Sequence, residues 1–128
     1  MGKKSQRKGA VGELELAKLL RAEGFEIERG GISFGTVPDL VGLPGIHIEV
    51  KRTERLQLSD AIAQAVRDAA EFDDGLPAVF HRKNREGWIV SMRLEDWLRV
   101  YRDGGSPAER RVDNPRYEGN PATAAGRE

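Results

Sequence analysis

The sequence predicts one α/β (α+β) domain, in which a central mixed sheet is flanked by helices in the order αβββαββα. Apolar residues recur at helical spacing in three stretches, whereas shorter runs between those stretches alternate apolar and polar residues in the manner of half-buried strands. Glycine and proline separate the runs. A chain of 128 residues with this aliphatic content is long enough for one domain with a modest core.

Composition excludes several classes of site. The chain has no cysteine, which rules out disulfides, thiolate zinc sites and cysteine nucleophiles, and its two histidines are too few for a histidine-rich metal site. No apolar run approaches the roughly 18 residues of a membrane span, and the N-terminus lacks the hydrophobic segment of a secretion signal. We therefore expect a cytoplasmic protein with no membrane partner.

The first element is predicted to be a helix from about residue 9 to residue 23, ended by Gly24. Winding it at about 100° per residue places five apolar side chains in one stripe. The stripe consists of Ala10, Leu14, Leu16, Ala17 and Leu20. Residues 1–8 precede this helix as a flexible basic arm suited to phosphate contacts.

Glu13 falls within that apolar stripe. A carboxylate on a buried face needs a partner, because an unpaired buried charge is costly. One interpretation is a salt bridge to a nearby arginine, or a side chain that reaches solvent at the edge of the stripe. The other interpretation is a third acid that leans toward a metal site on the sheet.

A first strand is predicted over residues 25–29, and the glycines of residues 30–36 predict a loop. Glycines let the backbone approach a ligand closely, and Ser33 in this loop could donate a hydrogen bond to a phosphate. Most loops of this composition have no such role, so the loop by itself is a weak signal.

Residues 37–42 and 46–52 are predicted to pair as a tight hairpin, because both runs alternate apolar and polar residues. The turn between them contains Leu43, Pro44 and Gly45. Pro44 cannot donate to a strand ladder, and Gly45 can adopt the positive φ that a three-residue loop needs near its end.

The alternation also selects a register for this hairpin. If Gly42 faces Ile46, then Asp39 lies opposite Glu49, and directly opposed residues share a face of the sheet. A slip by one residue would mix the faces and bury charge, so we predict the first register. The face turned to the core then carries Leu40, Ile46, Ile48 and Val50.

Asp39 and Glu49 would have Cβ atoms roughly 4.5 to 5.5 Å apart in this register, an unfavourable pair unless a cation neutralises it. Hard oxygen ligands on rigid strands suit Mg²⁺ or Mn²⁺. Lys51 points to the same side about 6.6 Å further along the strand, where an ammonium can hold a phosphate or the attacking water. The alternative is that Asp39 only starts a strand after Pro38, and that Glu49 and Lys51 form a solvated face.

The second half of the chain predicts a helix over residues 58–72, with Gln64 at its polar edge. Two strands follow over residues 78–82 and 87–91, around a turn at residues 83–86. We expect a stripe of core residues on the helix. It consists of Leu58, Ile62, Ala65, Ala69 and Phe72.

A short closing helix is predicted because apolar residues again recur at helical spacing, and we expect them in the core. They are Leu94, Trp97, Leu98 and Tyr101. Trp88 is expected to pack rather than to stack on a base. Residues 103–128 are rich in proline and glycine and are expected to be a disordered tail, which leaves residues 9–102 as the domain.

The formal net charge is zero, so composition by itself does not indicate a nucleic-acid binder. Positive charge is nevertheless clustered in residues 1–8 and 80–93, where it either solubilises the surface or contacts phosphates. The candidate DNA contacts are six of these basic residues, the arginine that ends the hairpin, a second arginine beyond it and one glutamine. They are Lys3, Lys4, Arg7, Lys8, Arg52, Arg55, Gln64, Arg82 and Lys83.

The order of these elements resembles the PD-(D/E)XK nuclease superfamily, whose motif residues here are Pro38-Asp39 and Glu49-Val50-Lys51, with Glu13 on the preceding helix. More narrowly, residues 8–92 resemble the archaeal-type Holliday junction resolvases and their phage relatives. The further matching features are Lys8-Gly9 before the first helix, the Gly/Ser loop before Pro38, Gln64 eight residues ahead of Phe72, and Gly75-x-Pro77 before the next strand.

The resemblance implies a restriction-endonuclease-like core and a Mg²⁺-dependent endodeoxyribonuclease that resolves four-way junctions by paired symmetric nicks, with Mn²⁺ able to replace Mg²⁺. It also implies a homodimer, because two strands are cut symmetrically. The implied catalytic residues are Glu13, Ser33, Asp39, Glu49 and Lys51. The implied metal ligands are Asp39, Glu49, Val50 through its carbonyl oxygen, and Glu13.

Two other functions stay open on the sequence. One is a nuclease of the same fold that acts on flaps, ends or unspecific duplex DNA, since substrate choice depends on loops and dimer geometry. The other is a DNA-binding module that keeps the fold without catalysis. The presence of Asp39, Glu49 and Lys51 together argues against the second, because a decayed site usually loses an acid.

Overall fold

The computed structural model describes residues 2–30 and 38–104, with side chains from residue 9 onward. Several predicted features lie outside the described residues. They are Ser33, the expected tail beyond residue 104, and the side chains of Lys3, Lys4, Arg7 and Lys8. The chain divides into two compact units, Met1–Arg93 and Leu94–Glu128. No helix among the described residues is long and apolar enough to cross a membrane.

The elements follow the predicted order αβββαββα, which confirms the α+β fold class. They are α1 (Gly2–Ala22), β1 (Glu28–Arg29), β2 (Leu40–Val41), β3 (Ile46–Arg52), α2 (Leu58–Phe72), β4 (Leu76–Arg82), β5 (Ile89–Ser91) and α3 (Leu94–Asp103). The central elements β3 and α2 have the predicted bounds, whereas β1, β2 and β5 are shorter than the alternating runs suggested.

Helix α1 begins at Gly2 and not near residue 9, so the backbone of residues 2–8 is helical and does not form the separate arm that we expected. Its buried face is centred on Leu16 and Ala17, with Leu20 partly buried. Leu14 was wrongly placed in the apolar stripe, because its side chain is 50% exposed.

The five strands form one mixed sheet in the order β1-β2-β3-β4-β5. Strands β3 and β4 are parallel, and the other neighbouring pairs are antiparallel. The parallel pair needs a long crossover, which α2 provides. The mixed sheet confirms the predicted architecture, and it makes β3 an interior strand.

The hairpin has the predicted register, since Leu40 lies opposite Ile48. Gly45 adopts φ 85°, as the turn requires. Gly42 also adopts a positive φ of 135°, which was not predicted, and a Cβ atom there would lie 2.2 Å from the carbonyl oxygen of Glu26. The chain therefore needs glycine at Gly42 for close backbone approach as well as for conformation.

Apolar side chains are buried on both faces of the sheet. The cluster on the α1 side contains Leu16, Ala17, Ile27, Leu40, Ile48, Val50, Ala78 and Phe80, and Trp88 packs against it as predicted. The cluster on the α2 side contains Ala61, Ala65 and Val79. Strand β3 is thus covered on both sides, as strands of a parallel pair commonly are.

Helix α2 turns small residues toward the sheet, because Ala61, Ala65 and Ala69 are its buried residues. Ala65 and Ala69 were predicted core positions, but Leu58 is exposed instead. The helix ends at Phe72 and is capped by Asp73, which has a left-handed conformation and whose N–H donates to the carbonyl oxygen of Ala69 over 2.8 Å.

The second unit contains α3. Its Trp97 and Tyr101 rings stack with centroids 5.3 Å apart. The prediction that this helix presents a core stripe was wrong for Leu94, Trp97 and Tyr101, whose side chains are exposed. Helical spacing identified the element correctly but not the burial of these residues.

Candidate active site

Asp39 lies just before β2, and its side chain reaches the backbone of β3. The backbone N–H of Val50 donates a hydrogen bond of 2.9 Å to Asp39 Oδ2. Burial, and then the negative charge of Glu49, raise the pKa of Asp39 to about 6, although the hydrogen bond from Val50 opposes this rise. The carboxyl group of Asp39 therefore lies near Glu49, in a position where ionisation of Asp39 is unfavourable.

Glu49 is the second acid, and only 4% of it is exposed. Its Oε1 lies 3.1 Å from Nε2 of His47, and its Oε2 lies 3.8 Å from Nζ of Lys51. The parallel register sets Glu49 beside Val79 of β4, on the face that α2 covers. The interpretation of Glu49 as part of a solvated outer face is wrong, because the crossover helix covers that face.

Lys51 lies on the same face, and its Nζ donates a hydrogen bond of 2.9 Å to Oε1 of Gln64 on α2. The structure thus brings Glu49 and Lys51 together on one face of the sheet, and Asp39 lies close enough for both charges to act on its pKa. Gln64, which we had assigned to DNA contact alone, holds the lysine.

His47 was not among the predicted site residues, and its side chain is buried, with 1% exposed. Its Nδ1 lies 2.9 Å from both carboxylate oxygens of Asp74. Burial lowers the pKa of His47, but hydrogen bonds to Glu49 and Asp74 outweigh it and raise the pKa to about 8. The signal was present in the period of the strand, since His47 precedes Glu49 by two residues and must share its face.

Glu13 approaches from α1, whose core residues pack on the other face of the sheet. Its Oε1 accepts hydrogen bonds from Nε and Nη2 of Arg29 at 3.3 and 3.1 Å. The salt bridge that we gave as one interpretation is therefore present. The charge of Glu13 still contributes to the raised pKa of Asp39, so the two carboxylates interact electrostatically.

The donor set fits a hard divalent cation. Asp39 and Glu49 offer carboxylate oxygens that repel each other, and a cation between such groups removes the repulsion. A second group of potential ligand atoms, from His47, Glu49 and Asp68, lies within 4.8 Å of one another. In that group Nδ1 of His47 faces Asp74, which lies outside the group, and Nε2 faces Glu49, which is a member of it.

Two of the candidate DNA contacts are engaged within the protein. Arg52 Nε lies 3.5 Å from Glu15, and Arg82 Nη1 lies 2.7 Å from the same carboxylate. Arg52 also donates to Asn84 over 2.8 Å and lies 3.4 Å from Glu54. These ion pairs join α1 to the ends of β3 and β4, which gives both arginines a structural role.

Arg55 and Lys83 lie at a surface groove of about 350 Å³ beyond the carboxyl ends of β3 and β4. Lys83 forms an exposed ion pair with Glu86 at 3.6 Å, of the kind that contributes little to stability. The two side chains are thus accessible positive groups on the same side of the molecule as the end of β3.

Comparisons with known proteins identify the family of the chain. Residues 4–113 match the family model described as archaeal Holliday junction resolvase (Hjc). A solved structure of Hjc, a Holliday junction resolvase from the archaeal hyperthermophile Archaeoglobus fulgidus, is 29% identical, covers 65% of this chain and 70% of its own, and has a TM-score of 0.49. A search of curated proteins gave no match. The family model spans most of the chain, so the protein belongs to the archaeal Holliday junction resolvase family of metal-dependent, structure-specific endonucleases.

Proposed function

We propose that Asp39 and Glu49, with the carbonyl oxygen of Val50, hold a Mg²⁺ ion for hydrolysis of DNA phosphodiesters at four-way junctions, and that Mn²⁺ can replace it. The observation that supports this proposal is the proximity of Asp39 to Glu49, because burial, and then the negative charge of Glu49, raise the pKa of Asp39 to about 6. When bound, the cation supplies positive charge for the scissile phosphate and for ionisation of the attacking water.

Lys51 is proposed to position the attacking water or to hold the scissile phosphate. Its ammonium lies 3.8 Å from Glu49 and is tethered by Gln64, so it carries a fixed positive charge beside the two acids. A preorganised charge of this kind stabilises the negative charge that develops on phosphate during hydrolysis. Glu13 is proposed to tune the cluster through its charge or to help hold a second ion, and Ser33 to contact the phosphate.

A homodimer is proposed because a four-way junction is resolved by two symmetric nicks, which two identical sites related by a two-fold axis can make. Exposed apolar residues are available for such an interface on α2 and α3. They include Leu58, Leu94 and Trp97. Light scattering of the purified protein, alone and with junction DNA, would determine the number of chains.

The test of the site uses the purified full chain with Mg²⁺ on a labelled immobile four-way junction, beside linear duplex and flap DNA. We expect paired symmetric nicks on the junction. Asp39→Asn and Glu49→Gln should each reduce the cleavage rate at least about a hundredfold, the scale on which loss of one electrostatic stabilising group acts. Junction binding without Mg²⁺ should be retained.

Asp73→Asn is the matched control, because it removes the same charge from an exposed residue whose left-handed conformation asparagine tolerates. It should cleave like the wild-type protein. Unreduced cleavage by Asp39→Asn or Glu49→Gln would remove the site assignment, and a preference for flaps or linear duplex over junctions would contradict the proposed substrate.

A further inference from the structure

The ring of His47 is held between two carboxylates. Its Nε2 faces Glu49 Oε1 at 3.1 Å, and its Nδ1 faces both oxygens of Asp74 at 2.9 Å. Phe72 stacks on the imidazole, with ring centroids 6.2 Å apart and planes 17° from parallel. A buried ring with these three neighbours has little freedom to turn.

Asp74 is itself fixed by the close approach of two backbone segments. The N–H of Leu76 donates to the carbonyl oxygen of Gly45 over 2.8 Å. A Cβ atom at Gly75 would lie 2.3 Å from the carbonyl carbon of Gly45, so only glycine permits this contact. The segment that contains Asp74 is therefore held in close backbone contact with the hairpin that contains His47.

A carboxylate only accepts hydrogen bonds, so Nε2 of His47 holds Glu49 as an N–H donor. The terminal torsion of a glutamate is otherwise broad, and a carboxylate without such a partner samples many orientations. With Oε1 held by His47, Oε2 of Glu49 is the oxygen that lies toward Lys51.

We propose that His47, held in place by Asp74, is a positioning residue that fixes the Glu49 carboxylate in the orientation that binds the catalytic cation. This inference rests on the proposed role of Glu49 as a metal ligand. Partners of this kind orient ligand side chains in metal sites, and their loss commonly reduces metal affinity about ten- to a hundredfold. His47 acts through Glu49 and does not itself touch the cation or DNA.

The experiment measures Mn²⁺ affinity directly, by electron paramagnetic resonance of free Mn²⁺ in the absence of DNA. His47→Leu should weaken Mn²⁺ binding about ten- to a hundredfold. His47→Gln should restore binding to within a few fold, because its amide nitrogen can donate to Glu49. Asp74→Ala should give an intermediate loss, since the ring keeps its contact with Glu49 but loses its anchor.

His81→Leu is the matched control, because His81 is the other histidine, lies on the adjacent strand and bonds to Ser91 instead of a carboxylate. It should bind Mn²⁺ like the wild-type protein. In cleavage assays, His47→Leu should raise the Mn²⁺ concentration for half-maximal rate more than it lowers the rate at saturating Mn²⁺. A purely structural role for His47 would lower the thermal midpoint of the variant and leave both metal measurements unchanged.

Glu49→Gln separates the two proposals. If Glu49→Gln binds Mn²⁺ as tightly as the wild-type protein, the proposed ligand role fails, and the positioning role fails with it. If Glu49→Gln loses Mn²⁺ while His47→Leu and Asp74→Ala retain it, only the positioning role is overturned. Should circular dichroism show that His47→Leu is unfolded, His47→Gln and Asp74→Ala decide the matter, and unchanged Mn²⁺ affinity in Asp74→Ala overturns the inference.

Discussion

The ammonium of Lys51 donates a hydrogen bond of 2.9 Å to the side-chain oxygen of Gln64, which connects the last motif residue of β3 to the middle of α2. Gln64 is a neutral acceptor, so it orients the ammonium without cancelling its charge. The crossover helix α2 thus contributes a side chain that contacts Lys51, and Gln64 is the polar position of α2 that this contact requires.

Replacing Gln64 by leucine should slow cleavage about ten- to a hundredfold. The leucine cannot accept the hydrogen bond from Lys51, and a small displacement of a group that acts on the substrate reduces the rate on this scale. Lys51→Met should slow cleavage by more. Single-turnover cleavage of a junction measures both effects. Gln57→Leu is the control, since the exposed Gln57 side chain makes no capping hydrogen bond. Weaker junction binding at an unchanged single-turnover rate would instead assign Gln64 to DNA contact.

Without metal, Asp39→Asn should be more stable than the wild-type protein at pH 7.5, by on the order of 1 to 3 kcal/mol. The folded state raises the pKa of Asp39 to about 6, so ionised Asp39 disfavours folding above that pH. The penalty disappears as pH falls from about 6 toward 4, because the carboxyl group is then protonated in the folded state.

Thermal unfolding in a chelator across this pH range measures the effect. The excess of the unfolding midpoint of Asp39→Asn over that of the wild-type protein should shrink at low pH. Added Mg²⁺ should raise the midpoint of the wild-type protein more than that of the variant. A constant difference in midpoint from pH 4 to pH 7.5 would show that the charge of Asp39 is not responsible.

Gly12→Ala should destabilise the protein by about 1 to 3 kcal/mol, the usual cost of overpacking. A Cβ atom at Gly12 would lie 2.6 Å from Cβ of Arg52, where α1 crosses β3. Gly9→Ala is the control in the same helix, because nothing lies within 4 Å of its Cβ position, and it should stabilise by up to about 1 kcal/mol through helix propensity. Urea unfolding that gives both variants the same sign of change would contradict this packing.

His81 predicts a pH dependence of stability away from the metal site. Burial lowers the pKa of His81, so the folded state prefers the neutral ring. Its contribution to stability is complete above the unfolded pKa of about 6.5 and is lost as pH falls through the lower folded pKa. Unfolding midpoints measured from pH 7.5 to pH 5 should fall more for the wild-type protein than for His81→Gln, whereas parallel curves would contradict the prediction.

Local patterns determined the elements nearest to the site. The alternation of residues 46–52 and the turn at Gly45 together predicted the strand and its register, because an apolar face and a short loop leave few alternatives. The helical spacing of residues 58–72 predicted α2 with its observed bounds. The prediction that Glu49 and Lys51 share a face followed from the alternation of this strand alone.

The partners of these residues were beyond local reasoning. Arg29 pairs with Glu13 across the space between β1 and α1, and Glu15 bridges Arg52 and Arg82, which belong to different strands. Such contacts depend on which distant segments meet, and neither charge nor spacing along the chain encodes that choice.

The secondary structure around the site, the register of the hairpin and the shared face of Glu49 and Lys51 were predictable from the sequence, because each depends on residues close together in the chain. The cover of α2 over this face, the bond from Lys51 to Gln64 and the contact of His47 with Asp74 were not predictable, because they depend on distant segments. Their cause is the parallel pairing of β3 with β4, a contact between segments 30 residues apart that makes β3 an interior strand and gives its polar side chains partners in place of water.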